Sequence, residues 1–130
     1  MNYFKLLQNN DIEALGKYLN KHDANEEIQG QSLLYWSVYM GNMEFTKLLI
    51  ESGADVNRED KLGRTPLEIS SYFGFTEVAE LLLKHDAKVI STCMDRAYFG
   101  WDRNVQSDVL DLFQKYGWLN IYLMIYETYL

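Results

Sequence analysis

Residues 60–67 read DKLGRTPL, and the second half of this stretch has a counterpart 33 residues earlier in the chain. Residues 63–67 (GRTPL) align with residues 30–34 (GQSLL), and the same spacing relates Gly41 to Gly74. It also relates the apolar triplets at 48–50 and 81–83. A repeat of this length forms a helix pair that cannot bury its apolar face alone, so successive copies stack. The repeat therefore predicts an all-α solenoid of helix-turn-helix units.

The copy that begins at residue 60 carries clear signals for where its first helix starts and ends. Thr65 suits the N-cap, Pro66 suits the first helical position, and Glu68 completes a capping box with Thr65. Gly74 ends this helix. We therefore expect a short helix that begins at Pro66.

A second helix is predicted from about residue 76 to residue 85. It ends at Asp86, the position that Gly53 holds one repeat earlier. Asp is among the few residues other than glycine that tolerate a left-handed backbone. We therefore expect Asp86 to end its helix as Gly53 does.

These motifs resemble the ankyrin repeat, whose pattern runs D-x-x-G, T-P-L, an inter-helix Gly, L-L-L and G-A-D-x-N. The pattern is matched at residues 60–63, 65–67, 74 and 81–83, and in the previous copy at 48–50 and 53–57. The resemblance implies an all-α ankyrin repeat solenoid with short β-turn fingers and about four repeats, including degenerate caps.

We expect a single domain over residues 1–130, with an N-terminal cap repeat at 1–25 and well-formed repeats at 27–57 and 60–89. A degenerate repeat follows at 90–117, with a shortened finger near residues 89–91 and an insertion near 101–105. Its second helix is predicted over 105–116, and the helix of the N-terminal cap over 12–21. A C-terminal cap covers residues 118–130, where a helix is favoured over a strand. Degenerate ends are typical of repeat proteins.

Composition limits the classes of partner. The 130 residues are 48% hydrophobic and carry a formal net charge of −7. This charge argues against nucleic acid and anionic membranes as partners, and it favours a basic protein. Cys93 is the only cysteine, which indicates a reduced, cytoplasmic compartment, and the N-terminus does not resemble a signal peptide.

The sequence offers no catalytic or metal-binding pattern, so we expect no enzyme activity, no cofactor and no metal. The two histidines, His22 and His85, have no second ligand at metal spacing. Cys93 is interpreted as a buried structural thiol. No glycine-rich phosphate loop or hydrolase motif occurs.

The resemblance also implies a binding surface, because the two residues before each inter-helix glycine point into the concave groove of such repeats. In this chain those pairs are Tyr39 and Met40, Tyr72 and Phe73, and Tyr98 and Phe99. Trp101, in the insertion, extends this predicted row. Tyrosine and methionine are side chains that interfaces favour. The alternative is that Met40, Phe73 and Phe99 pack in the core.

The predicted fingers carry charged residues that extend this surface. The candidates are Glu27, Glu59, Asp60 and Arg64. Acidic side chains beside an aromatic groove would steer and orient a basic partner. The alternative is an ordinary solvated turn.

These features predict a non-catalytic module that binds a partner protein through its concave aromatic face and acidic fingers. One alternative is an immunity protein that neutralises a cognate basic toxin, since small acidic ankyrin proteins resemble bacterial immunity proteins. A second alternative is self-association through the apolar residues 119–130, either as a structural protein or as a weak homodimer instead of a monomer.

Overall fold

The computed structural model describes residues 2–117, and this part of the chain forms eight α-helices and one short β-hairpin. In chain order the elements are α1 (Tyr3–Gln8), α2 (Ile12–Leu19), β1 (Glu27–Ile28), β2 (Gln31–Ser32), α3 (Leu33–Tyr39), α4 (Met43–Glu51), α5 (Pro66–Phe73), α6 (Thr76–Lys84), α7 (Ser91–Tyr98) and α8 (Ser107–Lys115). This succession of helix pairs confirms the predicted fold class. The predicted cap at 118–130 lies outside the described residues.

Two compact units make up the chain, one ending at Pro66 and the other beginning at Leu67. In the first unit α1 packs against α2, α3 against α4, and α2 against α4. In the second unit α6 and α7 both pack against α8. Fully buried apolar side chains lie on these helices, among them Leu15, Phe45, Leu82, Val109 and Phe113. Apolar burial is therefore the main stabilising contribution in both units.

The helices of the first unit begin at polar side chains that satisfy otherwise unpaired backbone N–H groups. Asn2 caps α1, Asp11 caps α2, Ser32 caps α3 and Asn42 caps α4. The Ser32 hydroxyl accepts from the Tyr35 N–H at 3.0 Å. Ser32 therefore caps its helix from the position that Thr65 holds 33 residues later.

Left-handed residues mark the reversals of the chain. Asn10 (φ 51°), Gly41 (φ 64°) and Gly74 (φ 72°) lie between the helices of a pair, and Gly53 (φ 98°), Asp86 (φ 68°) and Gly117 (φ 83°) follow the second helix. The left-handed conformation expected for Asp86 is confirmed. Asn and Asp therefore occupy two places where glycine is the usual choice.

The fingers are tight turns. In the first, β1 and β2 pair antiparallel, and the two residues between them, Gln29 and Gly30, both have positive φ (52° and 78°). A two-residue hairpin with both φ angles positive matches the twist of its strands. In the second finger the Asp60 N–H donates to the Arg64 carbonyl at 2.9 Å.

The last described repeat departs from the others, and it corrects part of the prediction. The finger is shortened as expected, because α7 begins directly after Ile90. Gly100 does not take the left-handed conformation of Gly74, and Arg103 (φ 66°) takes it instead. Helix α8 begins at Ser107, two residues after the predicted start, because the Gln106 N–H donates to the Ala97 carbonyl at 2.6 Å.

Three predicted helix ends were also slightly wrong, and one of them is that of α8, which ends at Lys115, one residue before its predicted end. Helix α2 ends at Leu19 and not at residue 21, because the Lys21 N–H donates to the Tyr18 carbonyl three residues earlier at 3.1 Å. Helix α6 ends at Lys84, one residue before the predicted end. Such tightening of the last turn is common where a helix frays into a turn.

Candidate protein-binding surface

An aromatic strip runs along α3 in the first unit. It consists of Tyr35, Trp36 and Tyr39, with Phe4 of α1 against it. The Tyr35 and Tyr39 rings are stacked, with centroids 6.0 Å apart and planes 16° apart. Trp36 meets Phe4 edge-on at 5.0 Å, and its indole N–H donates to the Ile28 carbonyl at 2.9 Å. These ring contacts and this hydrogen bond restrict the rotamers of the strip.

The solvent-facing end of this strip is at the C-terminus of α3. The Tyr39 side chain is 43% exposed and Met40 is 58% exposed. Met40 caps the helix and so lies beyond its last turn, where no following turn covers it. The alternative that Met40 packs in the core is therefore wrong.

Asp60 lies inside the second finger. Its carboxylate accepts hydrogen bonds from the backbone N–H groups of Leu62 and Arg64, both at 2.9 Å, and from Arg64 Nε at 2.7 Å. The side chain is 1% exposed. Burial opposes ionisation, but these hydrogen bonds outweigh it and hold the pKa of Asp60 below its ordinary value. Asp60 therefore stabilises the turn, and a partner at the surface would not reach its carboxylate.

The other acidic finger residues differ in their surroundings. Glu27 forms an ion pair with Arg58, whose second guanidinium nitrogen donates to the Asn25 carbonyl at 2.9 Å. Glu59 is exposed to solvent. A recess of about 170 Å³ between the two fingers is lined by Glu27, Gly30, Gln31, Ser32, Tyr35, Arg58, Glu59, Asp60 and Lys61. The fingers of the first unit are thus a paired set of charges and not a purely acidic surface.

One position of the repeat is used differently in successive copies. Tyr35 and Glu68 hold this position, 33 residues apart. The Tyr35 ring stacks on Tyr39 and lines the recess between the two fingers. The Glu68 carboxylate, only 4% exposed, accepts from the Thr92 hydroxyl at 2.9 Å. The same position therefore makes chemically different contacts in the two copies.

In the second unit, the rings at the end of α5 are partly covered. Tyr72 and Phe73 are half-buried and meet edge-on at 5.1 Å. The guanidinium of Arg96 lies 5.9 Å from the centre of the Tyr72 ring. Phe73 also stacks on Phe75, with centroids 5.5 Å apart. These two predicted site residues therefore present only part of their surface.

The end of α7 and the loop after it are more open. Phe99 is 71% exposed, Trp101 is 57% exposed and Val105 is 51% exposed, while Tyr98 is half-buried. Phe99 is the C-cap of α7, as Met40 is the C-cap of α3. The alternative that Phe99 packs in the core is wrong for the same reason as for Met40.

We call residues 100–106 the Trp101 loop, and hydrogen bonds hold it in shape. The Trp101 N–H donates to the Tyr72 carbonyl and the Gly100 N–H to the Asn104 carbonyl, each at 3.0 Å. The Gln106 amide donates to Asp102 at 2.8 Å. The Asn104 N–H, which also donates to Asp102, lowers the pKa of that carboxyl. The loop therefore presents Trp101 from a braced backbone.

The sequence pattern predicted the exposed side chains at the ends of α3 and α7 but not the rings beside Tyr39. Tyr35, Trp36 and Phe4 were not among the predicted site residues. The available signal was spacing, because Tyr35 lies four residues before Tyr39 and so shares its helix face. That the two units contribute to one concave groove stays a prediction.

The described residues do not contain a cluster of three or more metal-ligating side chains. Cys93 is fully buried. The His22 ring stacks on the Tyr18 ring, with centroids 3.9 Å apart, and His22 Nδ1 lies 3.2 Å from a carboxylate oxygen of Glu26.

None of the helices between residues 2 and 117 has the length and apolar character needed to cross a bilayer.

Comparison with known proteins gives consistent results. A family model described as ankyrin repeats (3 copies) matches residues 4–93. The mouse and human proteins named protein phosphatase 1 regulatory subunit 27 are 30% and 31% identical over 108 residues, which is 81% of this chain and 66% of theirs. A putative ankyrin repeat protein of Rickettsia bellii is 36% identical over 76 residues, which is 58% of this chain and 40% of its own length.

The chain therefore spans about two thirds of the length of the mammalian relatives. The repeats and the relatives named as regulatory subunits point to a non-enzymatic module for protein–protein interaction.

Proposed function

The chain belongs to the ankyrin repeat family, and from this membership we propose that it binds a partner protein through the exposed side chains that end α3 and α7. The observation that carries the proposal is the equivalence of Met40 and Phe99. Each is a helix C-cap directly before a glycine, and each exposes more than half of a large apolar side chain. Tyr39 and Trp101 add exposed aromatic surface to the two positions.

Large apolar side chains that are exposed at equivalent positions of different repeats indicate a binding surface and not incidental exposure. A single exposed apolar side chain is ordinary, but large aromatic and methionine side chains are enriched where proteins bind each other. Because the Trp101 loop is braced by hydrogen bonds, little conformational entropy is lost when Trp101 becomes buried. Both features support a role in binding a partner protein.

The partner is proposed from charge and from the relatives. A net charge of −7 favours a basic protein or a basic segment. The named relatives are regulatory subunits of protein phosphatase 1, so that enzyme is a defined candidate to test. Neutralisation of a basic toxin is the alternative that the acidic charge also favours.

The first experiment uses the tagged chain to retain proteins from its native source, followed by mass spectrometry. Purified protein phosphatase 1 is tested in parallel by calorimetry. Binding of that enzyme supports a regulatory role, and retention of one basic toxin supports neutralisation. If no protein is retained from the native source and calorimetry detects no binding of protein phosphatase 1, the result counts against the binding proposal.

Two double variants then locate the surface. Tyr39→Ala with Met40→Ala removes the exposed end of α3, and Phe99→Ala with Trp101→Ala removes that of α7. Ile90→Ala is the matched control, because Ile90 is 41% exposed but lies at the start of α7. We expect both double variants to weaken binding and the control to bind normally. Normal binding by both double variants would place the interface elsewhere.

A further inference from the structure

The side chain of Gln106, the last residue of the Trp101 loop, lies against two glycines of the second unit. A Cβ placed on Gly74 would come within 3.2 Å of Gln106 Cδ, and one placed on Gly100 within 2.8 Å of the same atom. The two would lie even closer to the amide oxygen and the amide nitrogen, respectively. Gly74 follows α5, and Gly100 follows the C-cap of α7. The amide therefore occupies a space that exists because neither position carries a side chain.

Hydrogen bonds fasten Gln106 to the loop and to α7. Its Nε2 donates to a carboxylate oxygen of Asp102 at 2.8 Å and to the Asn104 carbonyl at 3.1 Å. Its backbone N–H donates to the Ala97 carbonyl of α7 at 2.6 Å. The amide oxygen is the atom that lies nearest to Gly74. One side chain therefore contacts both the loop after α7 and the chain reversal after α5.

The Gln106 side chain is not used to cap the helix that follows it. Gln106 is the N-cap residue of α8, but its side chain makes no capping hydrogen bond. Asn42 holds the N-cap of α4 in the first unit, where it accepts from the Phe45 N–H at 2.9 Å. Its amide also donates to Asn10, in the chain reversal of the preceding helix pair, at 3.0 Å. An N-cap amide thus contacts the reversal of the preceding helix pair in both units, and at Gln106 it does so without capping.

We propose that Gln106 fixes the Trp101 loop against the end of α5, so that Trp101 and Tyr72 form one composite surface for the partner. This inference rests on the proposed function and adds the end of α5 to it. The direct link is the Trp101 N–H, which donates to the Tyr72 carbonyl at 3.0 Å. Gln106 is then a positioning residue that acts through this link and does not contact the partner.

The loop has internal hydrogen bonds that do not need the Gln106 side chain. The Gly100 N–H donates to the Asn104 carbonyl, and the Arg103 N–H donates to the Gly100 carbonyl, each at 3.0 Å. Loss of the amide should therefore leave the turn formed and release it from α5 as a unit. A loop that is already fixed loses less conformational entropy when a partner buries it. Affinity should therefore depend on Gln106.

The first test needs no partner. Exchange of the Trp101 backbone amide hydrogen with deuterium is followed by NMR in wild type and in Gln106→Ala. Because this N–H donates to α5, release of the loop should accelerate its exchange about tenfold or more. Gln114→Ala is the matched control, because Gln114 is an exposed glutamine of α8, and it should leave the rate unchanged. An unchanged Trp101 rate in Gln106→Ala would overturn the proposal.

A second variant keeps the test valid if Gln106→Ala fails to fold. Gly100 does not have a positive φ, so Gly100→Ala introduces no left-handed strain, but its Cβ would displace the Gln106 amide. It should accelerate exchange of the Trp101 amide hydrogen as Gln106→Ala does. A folded Gly100→Ala protein with the wild-type exchange rate would likewise contradict the proposal.

The consequence for affinity is measured with protein phosphatase 1, or with the purified protein that the wild-type chain retains. Gln106→Ala and Trp101→Ala should each weaken binding about tenfold, and the double variant should weaken it far less than the product of the two losses. Full additivity would show that Gln106 does not act through Trp101 and would overturn the proposal.

The two proposals fail in different ways. If Gln106→Ala binds as tightly as wild type while Phe99→Ala with Trp101→Ala binds weakly, this inference is wrong and the proposed function stands. If the wild-type chain binds no protein, the proposed function fails and the composite surface fails with it. The exchange rates still decide whether Gln106 fixes the loop.

Discussion

Met40 and Phe99 show how much the last residue of a helix matters for this surface. Each follows a tyrosine that is still in the helix, and each is the more exposed member of its pair. A residue in the last turn can be covered by the side chain four positions earlier, as Tyr39 is by Tyr35. Met40 and Phe99 lie one residue beyond the last helical residue. These two caps therefore contribute more exposed apolar surface than the tyrosines that precede them.

At the residue scale, Asp60 predicts a specific dependence of stability on pH. Its pKa is lowered in the folded chain from the ordinary value of 3.8. The stabilisation is therefore complete above the unfolded value and is lost as pH falls through the lower, folded value. We expect Asp60→Asn to be less stable than wild type near neutral pH and to lose less stability on acidification. Denaturant unfolding of both proteins between pH 6 and pH 3 measures how the free energy of unfolding of each depends on pH.

Asp102 provides the control for this prediction. The pKa of Asp102 is also lowered, but the residue is exposed in the Trp101 loop. Solvent screens its interactions, so Asp102→Asn should change the acid dependence less. Equal effects of the two substitutions would show that burial of Asp60 does not govern its contribution.

At the scale of elements, the ends of α4 and α6 allow a reciprocal exchange. Gly53 and Asp86 hold the same position in successive repeats, and both are left-handed (φ 98° and 68°). A residue with a Cβ pays about 1 kcal/mol in this conformation. Asp86→Gly should therefore raise the melting temperature, and Gly53→Asp should lower it.

The Gly53 arm of the exchange is free of steric clash, because a Cβ on Gly53 meets no atom within 4 Å. Any cost of Gly53→Asp is then conformational and not steric. Calorimetry of both variants measures the two shifts. Shifts of the same sign would show that neighbouring contacts, and not the backbone conformation, dominate at these helix ends.

Helix α6 carries a second prediction at this scale. Leu82 is fully buried, and α6 packs against α8. Leu82→Ala removes buried apolar volume and should cost about 2–5 kcal/mol of unfolding free energy. Lys84→Ala is a suitable control, because Lys84 is an exposed residue of the same helix. An unchanged denaturation midpoint for Leu82→Ala would contradict its place in the core.

The sequence predicted the regular helices well and the irregular loop poorly. The 33-residue spacing located α3, α4, α5 and α6, because caps and apolar periodicity both follow the repeat. The insertion was predicted, but the conformation of the Trp101 loop was not. The chain reverses there at Arg103, and arginine is a residue type that gives no signal for positive φ. Its shape depends on side-chain hydrogen bonds from Gln106 to Asp102, which no periodic pattern encodes.

The proposed binding surface was predicted in the same uneven way. The exposed caps follow directly from the position of the inter-helix glycine. The burial of Asp60 does not follow from the sequence, because a charged residue in a turn is usually exposed to solvent. The structure shows that the Asp60 carboxylate is buried and accepts a hydrogen bond from Arg64. The spacing of four residues between these two was visible, but spacing alone does not distinguish a buried pair from an exposed one.

At the scale of the whole molecule, the net charge of −7 predicts how binding responds to salt. If the partner is basic, long-range attraction accelerates association, and salt screens it. Raising ionic strength from 0.05 M to 0.5 M should slow association by about tenfold or more and change dissociation less. Surface plasmon resonance over this range measures both rates. Association that does not respond to salt would argue against a basic partner.

The different contacts of Tyr35 and Glu68 mean that the repeats of this chain cannot replace one another. Exchanging the residues at these two positions would remove the ring that stacks on Tyr39. It would also put a phenol ring into the buried space where Glu68 meets Thr92. A version of the chain with its repeats in another order would therefore need different side chains at these two positions.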